Sequence, residues 1–564
     1  MTQKNVAEAI LSILETTGID ACFGVPGGQT LPLYGAAREH GFRHVMMRDE
    51  RNCACAADAY ARVSGKVGVC DATVGPGVTN LVSGLGEAYA SSIPVIALIA
   101  DIDTNVEHLR HRSVEGQACE QRALMETVSK WVGRVQTPRR LTEIMAHAFR
   151  VATTGRPGPV VVEIPQEVWL APAPEFDITQ FTPDTVRWPR HRTAAPSAKI
   201  NEAVTLLQGA QRPIVLAGGG AMASGAFEEI GAFAEEFNIP VVTSMNAKGI
   251  IDEHHPLALG VVGQFGAVHA SHALEQADVV LTLGSKFSHF NTFTWQLPHK
   301  QNQVIHVDMD GEELNRSIPA CLEIVADVKE AAAQILTALR EGSRKNFGWQ
   351  AKGEAPQQPG TLDSDPAVAP EAVIAALNDS FIDETILVSD ASLSSGWCAS
   401  RYKVRGTGRK FIAPRGLAGI GWACGGAIGA ALAAPKGTRI AVVAGDGAAA
   451  YWLGEIETAV RWNLPITFVI LNNASFGWIV QEERARRYVK ESTFEPVDFA
   501  AIGVASGTGG ARAHSIEEVS AGLDQALSQE GPFVLDVLSS EKATCTVKYA
   551  SINPEASSTL GVYS

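Results

Sequence analysis

The sequence predicts an α/β protein made of three consecutive open parallel-sheet α/β domains. Three observations predict it. Short apolar runs alternate with helical segments along nearly the whole chain, the pattern of strands covered on both faces by crossover helices. Two stretches with little hydrophobic periodicity, 173–197 and 342–368, contain proline and divide that alternation into blocks. In the last block an apolar run, a glycine turn, an amphipathic segment and a second apolar run follow in order. Polar residues close both runs, where open parallel sheets place their ligands.

The first block covers 1–172, and its strands are read at 21–23, 67–70, 95–99 and 160–164, with a further short apolar strand at 44–47. The second covers 198–341, with strands at 214–217, 241–242, 279–283 and 304–307. The third covers 369–538 and holds the runs 440–444 and 466–471. The tail, 539–564, is Ser/Thr-rich with little regular pattern and reads either as disorder or as a lid over a site.

Bulk properties narrow the function. The 564 residues are 46% hydrophobic and 19% charged, enough for large cores and far from a disordered composition. A formal net charge of −15 excludes nucleic acid or an anionic membrane as the main partner, while leaving room for a local basic pocket. Nine cysteines are scattered, the closest pair being Cys53-Ala54-Cys55, and no CxxC or Cys/His metal spacing occurs. Free thiols in a reducing compartment are the expectation. No signal-peptide pattern opens the chain, and the longest apolar stretches are too short to span a bilayer, so a soluble cytoplasmic protein is expected.

The chemistry concentrates at Gly445-Asp446-Gly447 and Asn472-Asn473. The glycines let backbone approach a phosphate. Asp446 and Asn473 offer hard oxygen ligands, and the carbonyl of Ser475 offers a third, a set that suits Mg²⁺ shared with a diphosphate. An ordinary βα turn with an Asx-rich loop has the same residues; the paired asparagines at this spacing favour the metal–diphosphate reading.

Further pieces stand elsewhere: Phe23-Gly24-Val25-Pro26-Gly27-Gly28, Arg48-Asp49-Glu50-Arg51-Asn52, Ala57 to Arg62, Gly75-Pro76-Gly77-Val78-Thr79-Asn80, Gly155 to Pro159, and Gly416-Leu417-Ala418-Gly419-Ile420-Gly421. With these, in this order, essentially the whole chain resembles thiamine diphosphate (ThDP) enzymes, as pyrimidine-binding, middle and diphosphate-binding domains. It is similar to the acetohydroxyacid synthase (acetolactate synthase-like) and 2-oxoacid decarboxylase branch. That branch also holds pyruvate oxidase, oxalyl-CoA decarboxylase and 2-hydroxyacyl-CoA lyase.

The resemblance implies roles for named residues. Glu50, which follows a short strand and opens a small-residue helix, would hydrogen-bond N1′ of the cofactor pyrimidine and share a proton with it. A solvated glutamate in the charged run 48–51 is the bland alternative. Ile420 would wedge beneath the cofactor, and the carbonyl of Ala418, where the family often has Gly, would accept from N4′. Pro26, Gly27, Thr73, Pro76 and Asn80 would complete the pyrimidine side. Gly445, Asp446, Gly447, Ala448, Asn473, Ser475, Phe476 and Gly477 would hold the diphosphate, with Asp446, Asn473 and Ser475 as metal ligands.

Gln117 aligns with a glutamine on the substrate side, but Gly116 precedes it where the synthases have Phe. Glu491 and Glu495 are acid/base candidates, with a surface loop as the alternative. The run 107–112 is either a solvated face or a cationic patch for a carboxylate, a phosphate or a CoA tail. In the middle block Gly218-Gly219-Gly220, Gly284 to Phe287 and Asp308 are candidate nucleotide contacts. The FAD-dependent synthases have Arg-Phe-Asp-Asp where this chain has Lys286-Phe287-Ser288-His289. That departure speaks against FAD and leaves ADP, the adenylate end of CoA, or an empty site.

The activity implied is ThDP/Mg²⁺-dependent cleavage or formation of a carbon–carbon bond beside a carbonyl, with the cofactor as electron sink. An acetolactate synthase-like decarboxylase or carboligase leads, and a 2-hydroxyacyl-CoA lyase or oxalyl-CoA decarboxylase type follows. The substrate is then a 2-oxo acid or an acyl-CoA. A homodimer at minimum, assembled as a homotetramer, is implied, because family members build each site from two subunits.

Overall fold

In a computed structural model, the structure describes residues 4–173, 177–344, 346–350, 357–361, 365–381 and 384–553. Three six-stranded sheets follow one another along the chain, and every pairing within them is parallel. The first contains β1 (Ala21–Gly24), β2 (Arg43–Met46), β3 (Gly68–Ala72), β4 (Val95–Asp101), β5 (Val132–Arg134) and β6 (Val160–Pro165). The second contains β7 (Pro213–Ala217), β8 (Val241–Thr243), β9 (Ala258–Val261), β10 (Val279–Leu283), β11 (Gln303–Asp308) and β12 (Leu322–Val325). The third contains β13 (Thr385–Ser389), β14 (Phe411–Ile412), β15 (Arg439–Gly445), β16 (Ile466–Asn472), β17 (Gly509–Ala513) and β18 (Phe533–Leu538).

The outer sheets share one strand order: β2-β1-β3-β4-β6-β5 in the first and β14-β13-β15-β16-β18-β17 in the third. The middle sheet runs β12-β11-β10-β7-β8-β9. That is the doubly wound nucleotide-binding order, whose direction reverses between β7 and β10 and leaves a crevice there.

The outer domains meet through two helices of small residues, Glu50–Ser64 and Ala423–Ala433. Their approach is close enough that a Cβ on Gly429 would lie 2.0 Å from the carbonyl oxygen of Ala56. One apolar cluster therefore runs through both domains, joining Cys53, Ala57 and Tyr60 to Cys424, Ala427 and Ile428. Charge is buried at the same seam. Arg62 makes two hydrogen bonds to Asp58, at 2.7 and 3.0 Å, and reaches Ala413 of the third domain at 3.1 Å. Trp422 donates to Asp58 at 3.2 Å. A buried carboxylate needs such partners.

All nine cysteines are free thiols. Asp71, buried inside the first sheet, accepts from His44 at 2.6 Å, from Tyr34 at 3.2 Å and from Cys22 at 3.6 Å. Tyr549, in the tail read either as disorder or as a lid, is buried against Phe293 of the middle domain, with ring centroids 5.6 Å apart. Residues 554–564, the rest of that expected lid, lie outside the described residues. Among the described residues no helix is long and apolar enough to cross a membrane.

Candidate active site

Asp446 starts a single helical turn directly after β15, and Asn473 follows β16. Because β15 and β16 are neighbours, the two residues meet at the carboxyl ends of their strands. The Asp446 carboxylate accepts Gly447 N–H at 2.9 Å and Asn473 N–H at 3.1 Å. Asn473 Oδ1 accepts the Ser475 hydroxyl at 2.9 Å. Burial pushes the Asp446 carboxyl up to about 6, against the opposing pull of backbone N–H groups from 447 and 473–475. A divalent cation among these oxygens would relieve that penalty, so the donor set fits the expected metal.

These residues line a cavity of 410 Å³. Gly445, Gly447, Ala448, Phe476 and Gly477 border it at the metal end, and Ala418 and Ile420 border it as well. Phe290, Trp397 and Trp478 form its aromatic wall.

The turn bearing Ile420 is held by Asp390. Its carboxylate accepts the N–H groups of Ala391 at 2.8 Å, Gly421 at 2.9 Å and Ala423 at 2.9 Å. The turn bearing Ala418 is held from the other domain. Glu87 accepts Arg415 N–H at 2.9 Å, Gly416 N–H at 2.8 Å and Ala418 N–H at 2.9 Å. Ala418 itself sits at φ 55°, a left-handed conformation that favours glycine.

Glu50 belongs to a second group of residues. It opens the helix Glu50–Ser64, whose N-cap is Asp49, and is 9% exposed. Asn80 donates to it at 3.0 Å. A Cβ on Gly77 would lie 3.1 Å from Glu50 Oε1, and one on Gly27 would overlap Thr73 at 2.3 Å. Thr73 in turn donates to Gln29 at 2.7 Å. Gln117, at φ 65°, lays its carbonyl against Gly75, and its side chain is exposed. Glu50, Pro26, Gly27, Thr73, Pro76, Asn80 and Gln117 thus gather on the first domain, and none of them lines the cavity around Asp446. Glu491 and Glu495 are exposed on the loop after the helix Gly477–Arg486 and do not line it either.

The crevice between β7 and β10 opens into another cavity, of 310 Å³. Gly219, Gly220, Gly284, Ser285, Lys286 and Asp308 line it. Packing alone explains part of the glycine run, since a Cβ on Gly218 would lie 2.1 Å from the carbonyl oxygen of Gly284. Burial raises Asp308 to about 6 and lowers Lys286, whose ammonium donates to Ala90 O at 2.8 Å. Sequence reading did not find Glu87, Asp390 or Glu455, because a buried glutamate or aspartate looks the same in sequence as a solvated one.

Comparison with known proteins agrees with this layout. Residues 4–124 match the model for the thiamine pyrophosphate enzyme N-terminal TPP binding domain, 200–335 the central domain and 390–537 the C-terminal TPP binding domain. A probable acetolactate synthase large subunit of Methanocaldococcus jannaschii is 32% identical over 551 residues, covering 94% of this chain and 91% of that protein. The acetolactate synthase isozyme 2 large subunit of Escherichia coli K12 is 29% identical over 552 residues, covering 94% and 95%. The acetolactate synthase large subunit IlvB1 of Mycobacterium tuberculosis is 30% identical over 565 residues, covering 95% and 88%.

Proposed function

Because this chain belongs to the acetolactate synthase-like family of thiamine diphosphate enzymes, we propose that it uses thiamine diphosphate and Mg²⁺ to break or form a carbon–carbon bond beside the carbonyl of a 2-oxo acid, as a decarboxylase and carboligase. One observation carries the reading. The cavity with the oxygen donors of Asp446, Asn473 and Ser475 also has Ala418 and Ile420 on its wall, while Glu50, held by Asn80, stands with the other pyrimidine-side residues on another face. Two copies complete it, Glu50 of one facing the cavity of the other. A homodimer is the smallest active unit, and a homotetramer is a pair of such dimers.

When bound, thiamine diphosphate supplies an acidic C2–H and an electron sink. Asp446, Asn473 and the carbonyl of Ser475 would hold the cation that accompanies the diphosphate. Glu50, its carboxylate fixed by Asn80, would hold a proton at the pyrimidine N1′. The Ala418 carbonyl would accept from the pyrimidine amino group, and Ile420 would brace the rings. Phe290, Trp397 and Trp478 keep water from the reacting carbon. Gln117, with Gly116 before it, borders the substrate from the first domain. Glu491 and Glu495 serve as acid or base only with their loop closed over the cavity.

The middle-domain cavity, with Arg156, Lys286 and Arg409 in its lining, suits the phosphates of a nucleotide. ADP or the adenylate end of CoA is our reading there.

The test is product analysis with pyruvate, thiamine diphosphate and Mg²⁺. Acetolactate and CO₂ are expected, lost on chelation and restored by Mg²⁺. Turnover of acyl-CoA substrates without acetolactate from pyruvate rejects the reading. A flavin spectrum in the purified protein rejects the assignment of the middle cavity.

A further inference from the structure

Arg415 stands where the two cavities meet. It is one of four residues, with Phe290, Leu417 and Ala418, that line both. Its guanidinium lies 5.1 Å from the ring centroid of Phe290 and 5.4 Å from that of Phe265. Those rings attract a cation and fix its plane, but they leave its N–H donors unused. Nη1 donates to the Ser395 hydroxyl at 3.2 Å. Among the described residues Nε and Nη2 have no acceptor, and no carboxylate lies within ion-pairing distance.

The strongest negative charge acting on it is Glu87. That carboxylate is already engaged by Arg62 at 3.4 Å and by the backbone N–H groups of Arg415, Gly416 and Ala418. Burial pulls the Arg415 guanidinium down to about 10, with Glu87 acting in the opposite direction. The side chain is deep yet keeps accessible surface, because an open cavity lies on each side of it.

A cation left inside a protein without a counter-charge is costly unless a ligand completes it. Arginine presents a planar fork that matches a carboxylate. The neighbouring cavity has other cations, Arg62, Arg156, Lys286 and Arg409. Among the described residues, Arg415 is the only Lys or Arg that lines the cavity around Asp446. We propose that Arg415 is the anion-recognising residue of the active site, its free donors taking the carboxylate of the 2-oxo acid. The inference rests on reading that cavity as catalytic.

The test titrates the holoenzyme, with thiamine diphosphate and Mg²⁺, using unreactive probes. Oxamate has the size of pyruvate and mandelate is larger; each is compared with its neutral ester, and ADP is titrated separately. The wild type is expected to bind at least one acid roughly 10- to 100-fold more tightly than its ester, the range for a charge-assisted pair. Arg415→Met should erase that preference and leave ADP within about twofold, and Arg415→Lys should keep part of it. No preference in the wild type, or a preference that survives Arg415→Met, overturns the proposal. Loss of ADP binding with the acid preference intact also overturns it, by assigning the anion to the neighbouring cavity. Product analysis stays separate. An Arg415-dependent preference without acetolactate keeps this residue's role and rejects the reaction, whereas acetolactate without the preference does the reverse.

Discussion

Glu87 and Glu455 are reciprocal. Each lies between the third and fourth strands of its sheet, Glu87 after β3 and Glu455 after β15, and each holds a loop of the other's domain. Glu87 accepts the backbone N–H groups of Arg415, Gly416 and Ala418, just before Ile420. Glu455 accepts Arg48 N–H at 2.9 Å and Asp49 N–H at 3.1 Å, just before Glu50, and also the Asn52 amide at 3.3 Å. Burial raises the Glu455 carboxyl, and its hydrogen bonds pull the other way. The shared strand order of the outer sheets produces the relationship: two like domains packed on equivalent helices place equivalent residues in each other's loops.

Exchanging either glutamate for glutamine turns one acceptor oxygen into a donor that faces backbone N–H groups. Leaving a buried donor unpaired costs about 1–3 kcal/mol. Glu87→Gln disturbs the Ala418 turn, so the thiamine diphosphate concentration for half-maximal activity should rise roughly tenfold or more. Glu455→Gln disturbs the backbone before Glu50. There kcat should fall, while the half-saturating cofactor concentration moves only a few-fold. Cofactor activation curves for both variants check this; equal shifts in both parameters for both variants would point to general loosening instead.

If each active centre takes Glu50 from one copy and Asp446 from another, two dead variants should rescue each other. Glu50→Gln and Asp446→Ala homo-oligomers should each be inactive. In a mixed dimer one centre collects both substitutions and the other none. Random mixing on co-expression should restore about a quarter of wild-type activity. Mixed dimers isolated through two different tags should show about half of wild-type activity, and no recovery in them would place both residues in one chain's centre.

What the sequence announced follows burial. The interior strands of the first two sheets, β1, β3, β4 and β6, then β7, β8, β10 and β11, read directly as apolar runs, because both faces are covered. The edge strands β5, β9 and β12 did not, and β12 alternates buried and exposed residues instead. Asp446, Asn473 and Ser475 were legible because neighbouring strands bring nearby sequence together. Glu87 and Arg415 were not: their meaning depends on partners more than three hundred residues away, as the Glu87–Arg415 separation of 328 shows. The tail around Tyr549 has no periodicity to say which surface it joins, and the structure seats that residue against Phe293.

Asp308 makes stability depend on pH with a definite sign. Its folded carboxyl sits at about 6, above the ordinary 3.8, because burial penalises the charge; the Asp310 N–H and Arg156 oppose the rise, and the Glu313 and Asp310 carboxylates add to it. A raised carboxyl holds its proton more tightly when folded. Stability from this group therefore falls as pH rises from about 4 to about 6 and stays lower above that. Asp308→Asn removes the penalty. In nucleotide-free protein it should raise Tm at pH 7.5, by an amount of order 3 kcal/mol in stability, and the gain should vanish near pH 4. A gain equal at both pH values would assign the effect to something other than ionisation.

The same substitution should have opposite signs at two helical glycines. Gly231, in the helix Phe227–Glu235, has no atom within 4 Å of where a Cβ would stand. Alanine there lowers the entropy lost on folding and should stabilise by roughly 0.5–1 kcal/mol. At Gly429 the Cβ would lie 2.0 Å from Ala56 O, a backbone atom that cannot turn aside. The helices Glu50–Ser64 and Ala423–Ala433 must then separate, and overpacking of that kind costs about 1–3 kcal/mol. Because these helices begin at Glu50 and just after Ile420, their separation displaces both halves of the cofactor site as well. Gly429→Ala should therefore lower both the thermal midpoint and cofactor affinity, while Gly231→Ala raises the midpoint and leaves the affinity unchanged. Thermal melts with and without thiamine diphosphate separate the two, and a neutral Gly429→Ala would mean that the outer domains pack less closely than the structure shows.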